Sequence, residues 1–149
     1  MKIKGGEIMK VQITKIIDAP AENIWKTIRS YDNVERFNPM VTSSTITGTN
    51  EGSERVCQIQ FGDQQAELVE NLDLVDEENK TIKVSITHAP PPFGGQQITF
   101  QVKSLDENKA ELVISTDVAD DNKQAAKGLE DVFQMMSVGL KKLHEKEMN

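Results

Sequence analysis

The stretch NKQAAKGLEDVFQMMSVGLKKLHEK, residues 122–146, decides the fold. Large apolar side chains recur in it at separations of three, one, three, four and three, a spacing that places them on one stripe of an α-helix. They are Leu129, Val132, Phe133, Met136, Leu140 and Leu143. The pattern predicts one long amphipathic helix, with N-cap candidates at 120–122.

The residues that precede this helix alternate between apolar and polar side chains, which is typical of strands with one buried face. Glycine, aspartate and asparagine clusters separate the alternating segments and predict short turns. Short turns favour antiparallel pairing of consecutive strands. The predicted strands begin at Val41 and continue at 54–61, 65–75, 81–88, 97–105 and 110–118.

The first part of the chain predicts one strand and two short helices. Residues 10–18 alternate, Pro20 suits the first position of a helix that runs to Ser30, and 33–37 can form a second helix. Asn38-Pro39 ends it, because a residue before proline avoids the helical conformation. We therefore expect an α+β fold in which a curved antiparallel sheet of about seven strands carries the long C-terminal helix on its concave face.

Length and composition indicate one domain. With 149 residues the chain can bury a core of its own, and we place this domain at 9–147. We expect residues 1–8 to form a flexible N-terminal extension. No apolar run approaches the length of a membrane span or a secretory signal, so we expect a cytoplasmic protein without stable membrane insertion.

Charge and residue counts exclude several classes of site. A net charge of −7 argues against a nucleic-acid partner, which would need clustered lysine and arginine. The chain has one cysteine, Cys57, and two distant histidines, His88 and His144, so no metal-ligand spacing appears. We expect no metal and no cofactor.

Several short segments, in order, resemble the START/Bet v 1-like superfamily, also called SRPBCC or polyketide cyclase/dehydrase-like, whose fold is the helix-grip fold. They are DAPAENIW (18–25), FNPMV (37–41), GSER (52–55), LVE (68–70), Asp76 and PPPF (90–93). The resemblance covers 9–146, and Phe37 stands where relatives often have tryptophan. It implies a deep cavity between the sheet and the terminal helix. Members bind lipids, hormones, quinones or polyketides, and a minority catalyse cyclisation or dehydration.

Two charged residues lie on the apolar phase of their strands. Arg55 and Glu70 would each be costly to bury alone, so each requires a partner, and in neighbouring strands they could meet inside the cavity. One interpretation is a polar anchor for the carbonyl or carboxylate of a ligand. The alternative is a structural ion pair, or side chains that reach water at the open end of the sheet.

His88 continues the apolar face of 82–86 and precedes the proline-rich loop. A histidine there could act as a general acid or base at the cavity mouth. The plainer alternative, which we favour, is a strand-end histidine bonded to loop backbone. Other candidates are apolar and could equally be ordinary core. These candidate cavity residues are Trp25, Phe37, Ile86, Phe93, Phe100, Phe133 and Met136.

Three functions remain open. The first is binding of a small hydrophobic molecule such as a lipid, quinone or polyketide, with Arg55, Glu70 and His88 as polar contacts. The second is a cyclase/dehydrase-type enzyme that uses His88 or Glu70 for proton transfer, and the third is a chaperone-cofactor-like or regulatory interaction protein. We expect a monomer or a weak dimer, and non-catalytic binding is the favoured reading.

Overall fold

The computed structural model describes residues 7–119 and 121–147. Seven strands and a long C-terminal helix appear as predicted. In order they are β1 (Ile8–Ile17), α1 (Ala21–Ser30), a 3₁₀ turn (Val34–Arg36), β2 (Val41–Ile46), β3 (Glu54–Phe61), β4 (Gln64–Asp76), β5 (Thr81–His88), β6 (Gln97–Asp106), β7 (Lys109–Ala119) and α2 (Lys123–Glu147).

The second predicted short helix is only a single turn of 3₁₀ helix. Asn33 before it adopts a left-handed conformation with φ of 56°, and the chain after it must leave the helical region ahead of Pro39. Too few residues lie between these two points for an α-helix. The prediction of two short helices was therefore confirmed for the first, α1, and wrong for the second, which is a 3₁₀ turn.

All seven strands form one antiparallel sheet in the order β1-β7-β6-β5-β4-β3-β2. Every strand from β2 to β7 pairs with its neighbour in sequence, as short turns require. The first strand, β1, instead pairs with the last, β7, and the two lie side by side under α2. Strands β1 and β2 are the two edges of the sheet.

Helix α2 runs along β1 in the same direction. Its N-terminal half lies beside Met9–Gln12, and at its other end Glu145 Oε2 accepts a hydrogen bond from the Asp18 amide at 2.8 Å. The helix begins at a capped position, where Asn122 Oδ1 accepts a hydrogen bond from the Ala125 amide at 3.1 Å. Asn122 is thus the cap among the three candidates; Asp120 lies outside the described residues.

A close contact fixes α2 against the segment that follows the 3₁₀ turn. A Cβ atom at Gly139 would lie 2.1 Å from the Phe37 carbonyl oxygen, far inside van der Waals distance. Only glycine allows the helix to approach this backbone so closely. The contact holds the 34–41 segment against the helix and closes one side of the space beneath.

Helix α1 covers one end of the sheet and is tied to two turns. Trp25 Nε1 donates to Glu77 Oε1 at 3.0 Å, and Arg29 Nε donates to the other oxygen of Glu77 at 2.6 Å. Arg29 also donates to the Thr49 carbonyl at 2.5 Å. Because Glu77 lies in the β4–β5 turn and Thr49 in the β2–β3 turn, these bonds tie α1 to two turns, while the helix itself contacts β6 and β7.

The predicted extension at 1–8 falls mostly outside the described residues. The structure describes its last two residues, and Ile8 already pairs with Ala119 in the β1–β7 ladder. Within the described ranges, neither helix is both long and apolar enough to cross a bilayer.

Candidate functional site

A cavity lies on the concave face between α2 and the β3–β6 part of the sheet. The 34–41 segment and the loop that carries Phe93 close its remaining sides. Its volume is about 40 Å³. One water molecule needs roughly 10–15 Å³ by this measure, so the space holds a few waters. Ligand pockets usually measure about 300 Å³ or more, so this cavity is much smaller than a typical ligand pocket.

Seven of the ten predicted ligand-binding residues line this cavity. Two are the charged pair, one is in the proline-rich loop, and the others come from the sheet and α2. They are Arg55, Glu70, Ile86, Phe93, Phe100, Phe133 and Met136. Whether they contact a ligand remains a prediction.

Two predicted aromatic residues are buried elsewhere. The Trp25 indole points toward the β4–β5 turn, where its N–H binds Glu77, so it closes the end of the sheet. Phe37 does not line the cavity. It lines a surface groove on the outer side of the 34–41 segment, between that segment and the exposed face of α2. The neighbouring residues Val34, Asn38 and Met40 face the cavity instead.

His88 is exposed and lies outside the cavity lining. The strand register is the reason. Glu70 pairs with Ile86 but Val69 pairs with His88, so Thr87 is an additional residue in β5 that forms a bulge. The bulge reverses the alternation, and His88 shares the face of Val69 instead of that of Glu70. The placement of His88 on the buried face of β5 was therefore wrong, and its role as a polar contact or general acid–base group at the cavity mouth stays a prediction.

The cavity also contains residues that were not predicted to bind. Several share the strand phase of Arg55 or Glu70, which is the signal that could have identified them. Others come from the 34–41 segment and α2. Among them are Asn38, Met40, Cys57, Ile59, Leu68 and Val132.

Arg55 and Glu70 form a buried ion pair. They are directly opposite each other in the β3–β4 ladder, and Arg55 Nε donates to Glu70 Oε1 at 2.5 Å. The two residues are only 6% and 7% exposed. Burial alone would lower the pKa of Arg55, but the adjacent carboxylate outweighs it and the pKa is raised. The guanidinium of Arg55 therefore remains charged beside the Glu70 carboxylate.

The Arg55 guanidinium also contacts Tyr31, which lies at the C-terminal end of α1. Its carbonyl oxygen accepts a hydrogen bond from Arg55 Nη1 at 3.0 Å, and its ring lies 4.3 Å from the guanidinium carbon. A cation is favourable both at a helix C-terminus and over an aromatic face. The Tyr31 hydroxyl is fully enclosed and has no hydrogen-bond partner among the described residues. Its burial raises the pKa of this phenol.

Cys57 lies on the same face of β3 as Arg55, two residues further on, and is almost completely buried. Burial, reinforced by the Glu70 carboxylate, raises the pKa of its thiol from 9.0 to about 12. The thiol is therefore protonated at neutral pH and is a poor nucleophile. No group of three or more potential metal ligands occurs in the described parts of the chain.

Comparison with known proteins connects this geometry to a family. Residues 9–145 match the family model described as "Polyketide cyclase / dehydrase and lipid transport". Among solved structures, the chain is similar to the XoxI protein from Bacillus cereus, with a TM-score of 0.78 and 19% identity over 94% of this chain and 98% of that one.

Two further similar structures belong to proteins named as enzymes. The Zhui aromatase/cyclase from Streptomyces sp. R1128 has a TM-score of 0.76 and 18% identity, over 96% of this chain and 97% of that one. Norcoclaurine synthase from Thalictrum flavum, in complex with dopamine and hydroxybenzaldehyde, has a TM-score of 0.70 and 18% identity, over 92% and 86%. At these identities the likeness establishes the shared helix-grip fold alone.

Proposed function

The chain belongs to the polyketide cyclase/dehydrase and lipid transport family of the START/Bet v 1-like superfamily, and on that premise we propose that it binds a small hydrophobic ligand between α2 and the sheet. One observation carries the proposal: an apolar cavity contains a buried ion pair, Arg55–Glu70, at its wall. Plain core would not need two charges there, because apolar residues of similar volume are often as stable.

Because the cavity is so small, binding of a ligand requires it to expand. The wall contains two methionines, Met40 and Met136, whose unbranched side chains repack at low cost. It also contains Phe93, which belongs to the loop between β5 and β6 instead of a strand. Movement of these three side chains would enlarge the space without breaking the sheet.

A probe-binding experiment with a matched pair of variants tests this proposal. The neutral fluorophore N-phenyl-1-naphthylamine should bind the wild-type protein with a rise in fluorescence. Val132→Phe fills the cavity from α2 and should weaken binding about tenfold, which equals about 1.4 kcal/mol. The control Met135→Phe adds a similar group on the exposed face of the same helix and should leave affinity unchanged.

Failure of the wild-type protein to bind the probe, or equal affinities in the two variants, would contradict the proposed cavity. Circular dichroism of each variant establishes that it is folded. Native mass spectrometry of freshly purified protein then identifies any molecule that the cavity retains.

A cyclase/dehydrase-type reaction is the second candidate, supported by the carboxylate of Glu70 in an enclosed, largely apolar site. The two enzymes among the similar structures are consistent with it. Incubation with a linear poly-β-ketone, followed by mass spectrometry for loss of water, tests for turnover. In an enzyme, Glu70→Gln should reduce that turnover by a larger factor than it reduces binding of the ketone.

A further inference from the structure

Three buried polar residues at the cavity wall retain hydrogen-bonding capacity. Arg55 donates through Nε to Glu70 and through Nη1 to Tyr31, and its side chain also has a hydrogen bond with Cys57, which leaves two of its five N–H groups without a partner among the described residues. Glu70 accepts through Oε1 only. Asn38 accepts a hydrogen bond from the Met40 amide at 3.0 Å through Oδ1, and its Nδ2 donates to no described residue.

Two of these residues have an atom that faces accessible space. Among fully enclosed side-chain nitrogen and oxygen atoms of the described residues, only the Tyr31 hydroxyl lacks a partner. Oε2 of Glu70 and Nδ2 of Asn38 are therefore not fully enclosed. Since both residues and Arg55 are at least nine-tenths buried and line the cavity, we infer that these two atoms point into it and that Arg55 presents its remaining N–H groups there.

The set comprises two donors and one acceptor, and its net charge is zero. A carbonyl oxygen in the cavity could accept from Arg55 and Asn38, and a neighbouring hydroxyl could donate to Glu70. A carboxylate could accept the same bonds, but it would place a second negative charge beside Glu70 in a buried site. Burial of an uncompensated charge is strongly unfavourable.

We propose that the cavity selects uncharged ligands in which a hydroxyl lies next to a carbonyl, that it discriminates against fatty-acid carboxylates, and that Asn38 is a ligand-binding residue. This inference rests on the proposed binding function. Glu70 is then the specificity determinant, because its carboxylate cancels the charge that would otherwise attract an anion.

Displacement of N-phenyl-1-naphthylamine by three ligands of equal chain length tests the proposal. They are 1-hydroxydodecan-2-one, dodecan-2-one and dodecanoate. The wild-type protein should bind the hydroxyketone at least about tenfold more tightly than dodecanoate, with the simple ketone between them. Equal affinities for the hydroxyketone and dodecanoate would overturn the inference, while binding of the probe itself would still support the proposed function.

Two isosteric substitutions separate the roles of the residues. Glu70→Gln keeps the shape but leaves Arg55 unneutralised, so dodecanoate should gain at least about tenfold in affinity. Asn38→Asp keeps the acceptor for the Met40 amide and removes the Nδ2 donor, so both ketones should bind more weakly. No gain for dodecanoate in Glu70→Gln would contradict the role of Glu70, and unchanged ketone affinity in Asn38→Asp would contradict that of Asn38.

A double variant keeps the test decisive if a single variant is unstable. Arg55→Met with Glu70→Met replaces the ion pair by apolar side chains of similar length, a change that proteins often tolerate. It should still bind the probe and should bind dodecan-2-one at least as tightly as the hydroxyketone. Retained preference for the hydroxyketone would show that the ion pair does not recognise it. Failure of the wild-type protein to bind the probe would overturn this inference and the proposed function together.

Discussion

The two halves of the concave face differ in how α2 covers them. Over β1 and β7 the helix packs directly on the sheet, and Leu112 and Ile114 of β7 are completely buried, as is Leu140 of the helix. Over β3–β6 a cavity separates them, and its wall includes a buried ion pair. The same helix therefore serves as core on one side and as cavity wall on the other.

The difference originates in what fills the space beside the helix. Strand β1 runs along α2 and packs against it, and at the far end the Asp18 amide donates to Glu145 and Lys141 donates to the Ile16 carbonyl. On the other side, the 34–41 segment contacts α2 through backbone at Gly139 and Phe37, and its side chains line a cavity that they do not fill. The first half is thus expected to provide stability, and the second half to provide a binding site.

The largest expected effect comes from breaking the ion pair in the cavity half. Arg55→Met alone leaves the Glu70 carboxylate buried without its partner and should lower the unfolding free energy by about 3–5 kcal/mol, measured by urea denaturation. The double variant with Glu70→Met should recover most of this loss. A double variant as unstable as the single one would mean that the ion pair itself stabilises the fold.

Two leucine truncations compare the halves directly. Leu112→Ala in the packed half should cost about 3 kcal/mol, because every contact of that side chain is lost. Leu68→Ala in the cavity wall should cost about 1 kcal/mol less, since part of the side chain already faces empty space. It should also raise probe affinity. Equal losses of stability would contradict the distinction between core and cavity wall.

The close contact between α2 and the 34–41 segment is tested by Gly139→Ala. The added methyl group would overlap the Phe37 carbonyl and should cost about 1–3 kcal/mol by thermal or urea unfolding. Gly128→Ala is the matched control in the same helix, where the nearest atom to a Cβ is Pro92 Cγ at 3.4 Å. That variant should be neutral or up to about 1 kcal/mol more stable, because alanine favours helices.

The smallest expected effect concerns Tyr31, whose hydroxyl is buried and has no hydrogen-bond partner in the part of the chain that the structure describes. Tyr31→Phe keeps the ring beside the Arg55 guanidinium and removes the unpaired hydroxyl. It should raise the unfolding free energy by up to about 1 kcal/mol. Tyr31→Leu, which also removes the aromatic face, should lack this gain. A loss of stability in Tyr31→Phe would mean that the hydroxyl has a stabilising partner.

The sequence predicted the strands and α2 well because their periodicities are long and regular. The apolar–polar alternation of 54–61 and of 65–75 was sufficient to place Arg55 and Glu70 on the buried face. Because either charge would be costly to bury alone, their pairing could also be predicted. The placement of His88 on the buried face of its strand was wrong because a single bulge at Thr87 reverses the alternation, and nothing in the local pattern indicates a bulge.

The alternation of side chains and the cost of burying charge are local properties, and so the sequence by itself determined the seven strands, the apolar stripe of α2 and the concave position of Arg55 and Glu70. Only the tertiary structure decided which aromatic residues face the cavity, how small the cavity is, and that Asn38 belongs to it. These features depend on distances between α2, the sheet and the 34–41 segment. Such distances result from packing over the whole molecule, which no single stretch of sequence encodes.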